Sequence, residues 1–274
     1  MYSLKKRLSF IFVFFCLLVA NTNVYSAEKK LIIVGEGFAP FEFTQDGKVV
    51  GIDIDIAKYI FNKMNIAVEF RIQPWKRAWY NVETGKADAI LSTSLKEKRK
   101  PYLLYPQENM WVSEYVFFVM KDKVQPNFVG YETAIQQKLT IGIINGNSYH
   151  PSFWQAFPYE NGATKFQGDL VSVQLNEQLD GVNKFEQNLK KLVRGRIDLV
   201  IADKTVGLYT AKLLGLHDQI TYYDIALYSK PYPMPFAKKS SYPNIEKIAN
   251  QFEQELKTLK QSGKYQSFFD KWLK

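Results

Sequence analysis

The chain is predicted to fold as an α/β protein, two α/β lobes joined by a two-strand hinge. Three observations carry this. Strand patterns and amphipathic helix patterns alternate along the chain, as expected of α/β layers. A second copy of the same order starts about 110 residues after the first. Two further segments read as crossings between the copies.

The elements follow in order. Leu31 to Val34 is a short apolar strand. Ile52 to Met64 reads as a helix, because Ile56, Ile60 and Met64 recur at i, i+4, i+8 on one face. Val68 to Ile72 is a strand, Lys76 to Thr84 a helix closed by Gly85, and Ala87 to Leu91 a strand. In the second copy, Leu139 to Ile144 matches the first strand. Phe185, Leu189, Leu192 and Val193 form a helix stripe ending at Gly195. Arg196 to Ile201 then echoes Lys86 to Leu91, and the offsets Gly85 to Gly195 and Asp88 to Asp198 are identical. Trp111 to Met120, rich in Val, Phe and Tyr, reads as the strand leaving the first lobe. Ala226 to Ala237, with Pro231, Pro233 and Pro235, reads as the return. A C-terminal helix carrying Ile245, Ile248, Phe252, Leu256 and Leu259 would pack back on the first lobe, with Phe268, Phe269, Trp272 and Leu273 beyond Gly263 as a last anchor. The organisation is therefore 1–26 leader, 27–120 plus 225–274 first lobe, and 121–224 second lobe. Two crossings make a hinge, and a hinge makes a cleft that can close.

The leader is read from Met1 to Ser26. Lys5, Lys6 and Arg7 precede an apolar run, Leu8 to Ala20, that is too short to cross a bilayer, and Val24 and Ser26 suit a cut before Ala27. This is the anatomy of a secretory signal peptide, and it directs the remaining chain to export. Cys16 is the sole cysteine and falls within the leader, so disulfides and thiolate metal sites are excluded from the rest. The formal charge of +9 falls by the leader's three basic residues, and the remaining excess is interspersed with acids. An exported chain of that kind with no recognition motif is not a nucleic-acid binder. The two histidines, His150 and His217, lie far apart and outside any metal or triad pattern, so no cofactor and no metal are expected.

Several pieces, in order and at the right spacing, carry a resemblance. They are Ala39-Pro40-Phe41-Glu42-Phe43, Gly51-Ile52-Asp53-Ile54-Asp55-Ile56-Ala57, Gly85-Lys86-Ala87-Asp88-Ala89-Ile90, Glu97-Lys98-Arg99, Gly146-Asn147-Ser148, Gly195-Arg196-Ile197-Asp198 with Ala202-Asp203, and Gly263-Lys264-Tyr265 through Trp272. Over nearly the whole chain beyond the leader, it resembles the periplasmic solute-binding proteins of family 3, the polar-amino-acid receptors of ABC importers. The resemblance implies a periplasmic-binding-protein-like type II fold and a monomer. It also implies capture of an amino acid or similar small zwitterion by hinge closure, delivery to ABC permease membrane subunits, and no enzymatic activity.

It also implies a set of ligand-binding residues. Arg99, eleven residues after Asp88, falls where the family places the arginine that holds the ligand carboxylate; a planar guanidinium can meet a carboxylate with two parallel bonds. Asp203, at the end of its strand, matches the ammonium-binding carboxylate, with helix capping as its other reading. Ser92, Thr93 and Ser94 correspond to a hydroxyl-bearing loop, and Ser148 to a hydroxyl in the second lobe. Phe38 and Trp75 would form an apolar wall. Two departures stand out. The chain is one residue shorter than common members between Asp88 and Arg99, which leaves open whether Thr93 or Ser94 reaches the ligand. Pro74-Trp75-Lys76-Arg77-Ala78-Trp79 replaces the usual aromatic-Asp-Gly segment, so Arg77 and Trp79 have no assigned role. Two alternatives share the fold: a cyclohexadienyl-dehydratase-like enzyme, for which Glu36 and Glu108 are the only acids to name, and a receptor presenting its ligand to a signalling partner.

Overall fold

The computed structural model describes residues 29–167 and 174–274; the leader reading therefore lies outside the described residues. In chain order the first elements are β1 (Leu31–Gly35), β2 (Phe43–Gln45), β3 (Lys48–Val50), α1 (Ile52–Lys63), β4 (Val68–Ile72), α2 (Trp75–Glu83), β5 (Ala89–Ile90) and β6 (Leu103–Leu104). Then come β7 (Trp111–Met120), α3 (Tyr131–Gln136), β8 (Ile141–Ile144), α4 (Pro151–Ala156), β9 (Leu179–Val182), α5 (Phe185–Val193), β10 (Leu199–Asp203) and α6 (Lys204–Leu213). The chain ends with β11 (Ile220–Tyr222), β12 (Tyr228–Tyr232), β13 (Phe236–Ala237), α7 (Ile245–Gln261) and α8 (Lys264–Leu273).

Two large sheets organise most of these elements and repeat one plan, while β2 and β3 pair apart as a two-stranded sheet. The first runs β4-β1-β5-β13-β6, the second β9-β8-β10-β7-β11, with β12 also paired to β7. In each, three parallel strands are followed by an antiparallel one, β13 against β5 and β7 against β10. The paired aspartates explain the repeat physically. Asp88 accepts the backbone N–H of Ile32 (2.7 Å), and Asp198 accepts that of Thr140 (2.9 Å). Each ties the loop before the third strand to the central strand beside it.

Helices cover both sheets with the stripes the sequence predicts. α1 buries Ile52, Ile54, Ile56, Ala57, Ile60 and Phe61, and α7 buries Ile245, Ile248, Phe252, Leu256 and Leu259 in the same core. α5 buries Leu189 and Leu192 against the second sheet. Among the described residues no helix is long and apolar enough to cross a membrane.

The boundaries differ from the sequence reading. All of β7 and β12 belong to the second sheet, registered Trp111↔Tyr232 to Tyr115↔Tyr228, so the sheets part at residues 110/111 and 232/233, not at 120 and 225. A ten-residue strand has enough backbone donors to pair on both sides, and β10 and β12 take them. The crossings carry an aromatic stack: Trp111 lies between Phe41 (ring centroids 3.5 Å) and Tyr232 (4.3 Å). The Trp111 indole N–H donates to Asp53 (3.2 Å), and the Tyr265 hydroxyl donates to the Met110 carbonyl (2.6 Å). The last helix is thus tied to the residue before β7, and its Phe268, Phe269 and Trp272 pack on the first core.

Candidate ligand cleft

In parallel α/β sheets the crevice outside the C-terminal strand ends collects side chains from distant parts of the chain. Here the two lobes turn those ends toward one another. β1 leads to Glu36 and Phe38, β5 to Ser92 and Lys96, β8 to Asn147, Ser148 and Tyr149, and β10 ends on Asp203. Glu36, Phe38, Ser92 and Lys96 line one side of a crevice of about 500 Å³; Tyr115, Asn147, Ser148, Tyr149, Tyr228 and Lys230 line the other. A smaller cavity of about 160 Å³ adjoins it, sharing Phe38, Tyr115, Asn147 and Tyr149 and reaching Asp203. A larger depression, about 900 Å³, lies elsewhere, on α1 and α7 around Lys63, Asn250 and Gln254. It is walled by one lobe only, so hinge closure cannot enclose a ligand there.

The second-lobe wall is set by register. Asp203 is opposite Tyr115, and Tyr115 opposite Tyr228, so three strands present these side chains at one level. Tyr115 and Tyr228 stack at 4.5 Å, and His150 covers Tyr228 at 5.2 Å. Burial raises the phenols of Tyr115, Tyr149 and Tyr228, that of Tyr149 to about 12, and they stay neutral hydrogen-bonding groups at neutral pH.

Of the eight residues named from sequence, the crevice and its adjoining cavity collect Phe38, Ser92, Ser148 and Asp203. Asp203 is buried and fits its capping reading: it caps α6 by accepting Val206 N–H (2.9 Å), and its other oxygen accepts the Ser113 hydroxyl (2.6 Å). Burial pushes its carboxyl up to about 6, against those two bonds. Ser92 sits in the left-handed region (φ 45°), an uncommon place for serine, and donates to Glu42 (2.7 Å). Thr93 is fully buried and donates to the Leu91 carbonyl (2.9 Å); Ser94 is buried and its carbonyl accepts from Arg99 (3.0 Å).

Arg99 and Trp75 belong to a neighbouring groove. The half-buried guanidinium of Arg99 rests against Trp75 (4.9 Å) and Trp79 (5.6 Å), with Glu83, Lys98 and Tyr102 around it. Its charge nevertheless reaches the cleft: burial raises Glu36 and Arg99 opposes that rise, while burial lowers Lys230 and the charges of Lys96 and Arg99 lower it further. Arg77 is exposed on α2 and lines neither space. Sequence reasoning missed Lys96, Tyr115, Tyr228, Lys230 and Tyr232. The last three alternate at i, i+2, i+4 in the predicted return crossing, which is the period of one strand face and the one signal available. Among the described residues no three His, Cys, Asp or Glu side chains converge to hold a metal ion.

Beneath the cleft floor, Glu42 and Asp53 form a buried carboxyl pair. Burial raises both. Asp53 stands at about 7 despite the Trp111 N–H it accepts, and its charge pushes Glu42 still further above the usual carboxylate range. A carboxyl whose folded pKa is raised favours the fold while protonated. Its contribution is complete below the ordinary carboxylate pKa and is lost as pH rises toward 7. The melting temperature is therefore expected to fall between pH 5 and pH 7.5, and Asp53→Asn, which still accepts from Trp111, to flatten that fall. An identical slope in the variant would refute the assignment.

The family model for bacterial extracellular solute-binding proteins, family 3, matches residues 31–274. The chain belongs to that family. Family 3 is one of binding proteins, which accords with a crevice walled by both lobes. An arginine-binding periplasmic protein of Mannheimia haemolytica is 25% identical over 91% of this chain and 94% of its own. Among solved structures, the L-cystine solute receptor of Neisseria gonorrhoeae, in an unliganded open conformation, matches with a TM-score of 0.67 at 17% identity, over 90% of this chain and 93% of its own. Substrate-binding domain 2 of GlnP from Lactococcus lactis matches with a TM-score of 0.64 at 21% identity, over 90% and 96%. Likeness at that identity shows the fold, the type II arrangement of two α/β lobes.

Proposed function

We propose that this family 3 protein is exported by a cleaved signal peptide at 1–26, captures a small amino-acid-like zwitterion by hinge closure, and delivers it to an ABC permease without altering it. The observation that carries the reading is the crevice whose walls come from opposite lobes, with a buried carboxylate, Asp203, at its inner end and cations at its rim. A ligand taken out of water there must have both charges paired, since an unpaired buried charge is very costly. Asp203 takes the ammonium. Arg99, held by two indoles and one carbonyl, has further N–H groups to offer the carboxylate as the lobes approach. Phe38 and the tyrosines enclose the side chain, and Ser92, Ser148 and Asn147 add hydrogen bonds. The apolar run after Lys5, Lys6 and Arg7 and the extracellular character of the family support export.

A thermal-shift screen of the purified chain against the amino acids tests this. A saturating ligand at about 100 times Kd adds about 2.7 kcal/mol, several degrees in a chain of this size. Asp203→Asn keeps an oxygen for the α6 cap but loses the charge, and it is expected to melt near wild type while losing the ligand response; Arg99→Ala is expected to lose it too. Two variants that respond like wild type would sink the assignment. Glu36, lining the crevice and raised by desolvation, is the one observation favouring the dehydratase alternative; a ligand consumed during the screen would establish that reading instead.

A further inference from the structure

Lys96 and Lys230 enter the same crevice from opposite lobes. Lys96 follows the loop after β5, and Lys230 sits in the middle of β12, opposite Ser113, the residue that donates to Asp203. Among the described residues neither forms an ion pair; the ammonium of Lys230 lies only over the ring of Tyr232, at 5.1 Å. Burial lowers both lysines, and each also feels the positive charge of Arg99; Lys230 feels Lys96 as well.

The acids near them do not balance this charge. Glu36 is one carboxyl on the crevice wall, raised by desolvation, Glu42 lies beneath the floor raised well above the carboxylate range, and Asp203 is engaged at the inner end. His150 turns one ring nitrogen to Ser152. The zwitterion reading, on which this inference rests, uses Asp203 and Arg99. It leaves two ammonium groups facing the single carboxyl of Glu36. As the lobes close, the two lysines approach, and their repulsion rises with the loss of intervening water. A neutral guest leaves that cost in place, and a cationic guest adds to it. An anion seated between the lysines reverses its sign and ties closure to its own presence.

We propose that the cleft selects guests bearing a carboxylate beyond that of the zwitterion, acidic amino acids or small dicarboxylates, held between Lys96 of the first lobe and Lys230 of the second. This specificity is opposite in charge to what the arginine-binding relative's name describes. Titration calorimetry of the purified chain with L-glutamate, L-aspartate, succinate, L-glutamine and L-arginine at low salt tests it. An acidic amino acid or succinate is expected to bind at least about tenfold more tightly than L-glutamine, and L-arginine not at all. Lys96→Gln and Lys230→Gln, each checked for an unchanged unliganded melting temperature, are expected to shrink that preference about tenfold. Succinate binding with no amino acid bound would keep this proposal and overturn the zwitterion. Binding of L-glutamine or L-arginine as tightly as L-glutamate, or an acidic preference unmoved by both variants, would overturn this proposal and leave solute capture standing. No heat with any of the five would overturn this proposal and leave solute capture to the wider thermal-shift screen.

Discussion

Trp111→Ala is expected to destabilise the protein by about 4 kcal/mol. The indole is buried at the point where the chain crosses between lobes, sandwiched by Phe41 at 3.5 Å and Tyr232 at 4.3 Å. Truncation removes the middle ring of that stack and leaves a cavity whose walls belong to different lobes, which limits how far they can collapse. It also removes the indole donor to Asp53, a carboxyl already raised by burial, and a buried group that loses its partner bears its desolvation penalty in full. For a chain of this length the loss corresponds to about 10 °C in Tm. Trp111→Phe keeps a ring in the stack while deleting the N–H, and its loss is expected to be about a third as large. Thermal melts of both variants check the account; a Trp111→Ala protein melting within about 2 °C of wild type would show that the stack does not carry the hinge.

Gly51→Ala is expected to cost about 3 kcal/mol, through a local mechanism. Gly51 precedes α1 with φ 134°, and a Cβ there would stand 2.2 Å from the Phe41 carbonyl oxygen and 2.8 Å from that of Pro40. Those same carbonyls accept the N–H groups of Ile52 (2.9 Å) and Asp53 (2.9 Å). They satisfy the first donors of a helix that has no side-chain cap. A methyl group forces them away, so strain and lost hydrogen bonds add. Gly47 is the control: its φ of 72° is equally left-handed, but nothing lies within 4 Å of a built Cβ. Gly47→Ala should cost only the conformational part, about 1 kcal/mol. Equal losses at the two glycines in urea denaturation would contradict the proposed contact.

Both substitutions fall on residues that look ordinary in the sequence. Trp111 reads as the first residue of a β-rich crossing, and nothing near it in the chain announces Phe41, Asp53 or Tyr232. Gly51 stands out only as part of a recurring family segment. The elements themselves are legible because their causes are local. Apolar residues at i, i+4 place α1, α5 and α7, a run of Val, Phe and Tyr places β7, and Gly85 in its left-handed turn (φ 75°) ends α2. The lobe boundary does not fall where the residues suggest, because strand length is local but strand partnership is not: Trp111–Met120 reads as a strand whichever sheet it joins.

By itself, then, the sequence determined the alternating α/β plan and the repeat anchored by Asp88 and Asp198, since each is written in the spacing of neighbouring residues. Tertiary structure alone decided which side chains share the crevice. Lys96 and Lys230 are far apart in the chain, and Tyr115, Asp203 and Tyr228 share one level only through strand register. It also placed Arg99 between two indoles beside the cleft. The physical reason is that a cleft is assembled at the ends of strands from many loops, and register and lobe orientation depend on the packing of the whole chain.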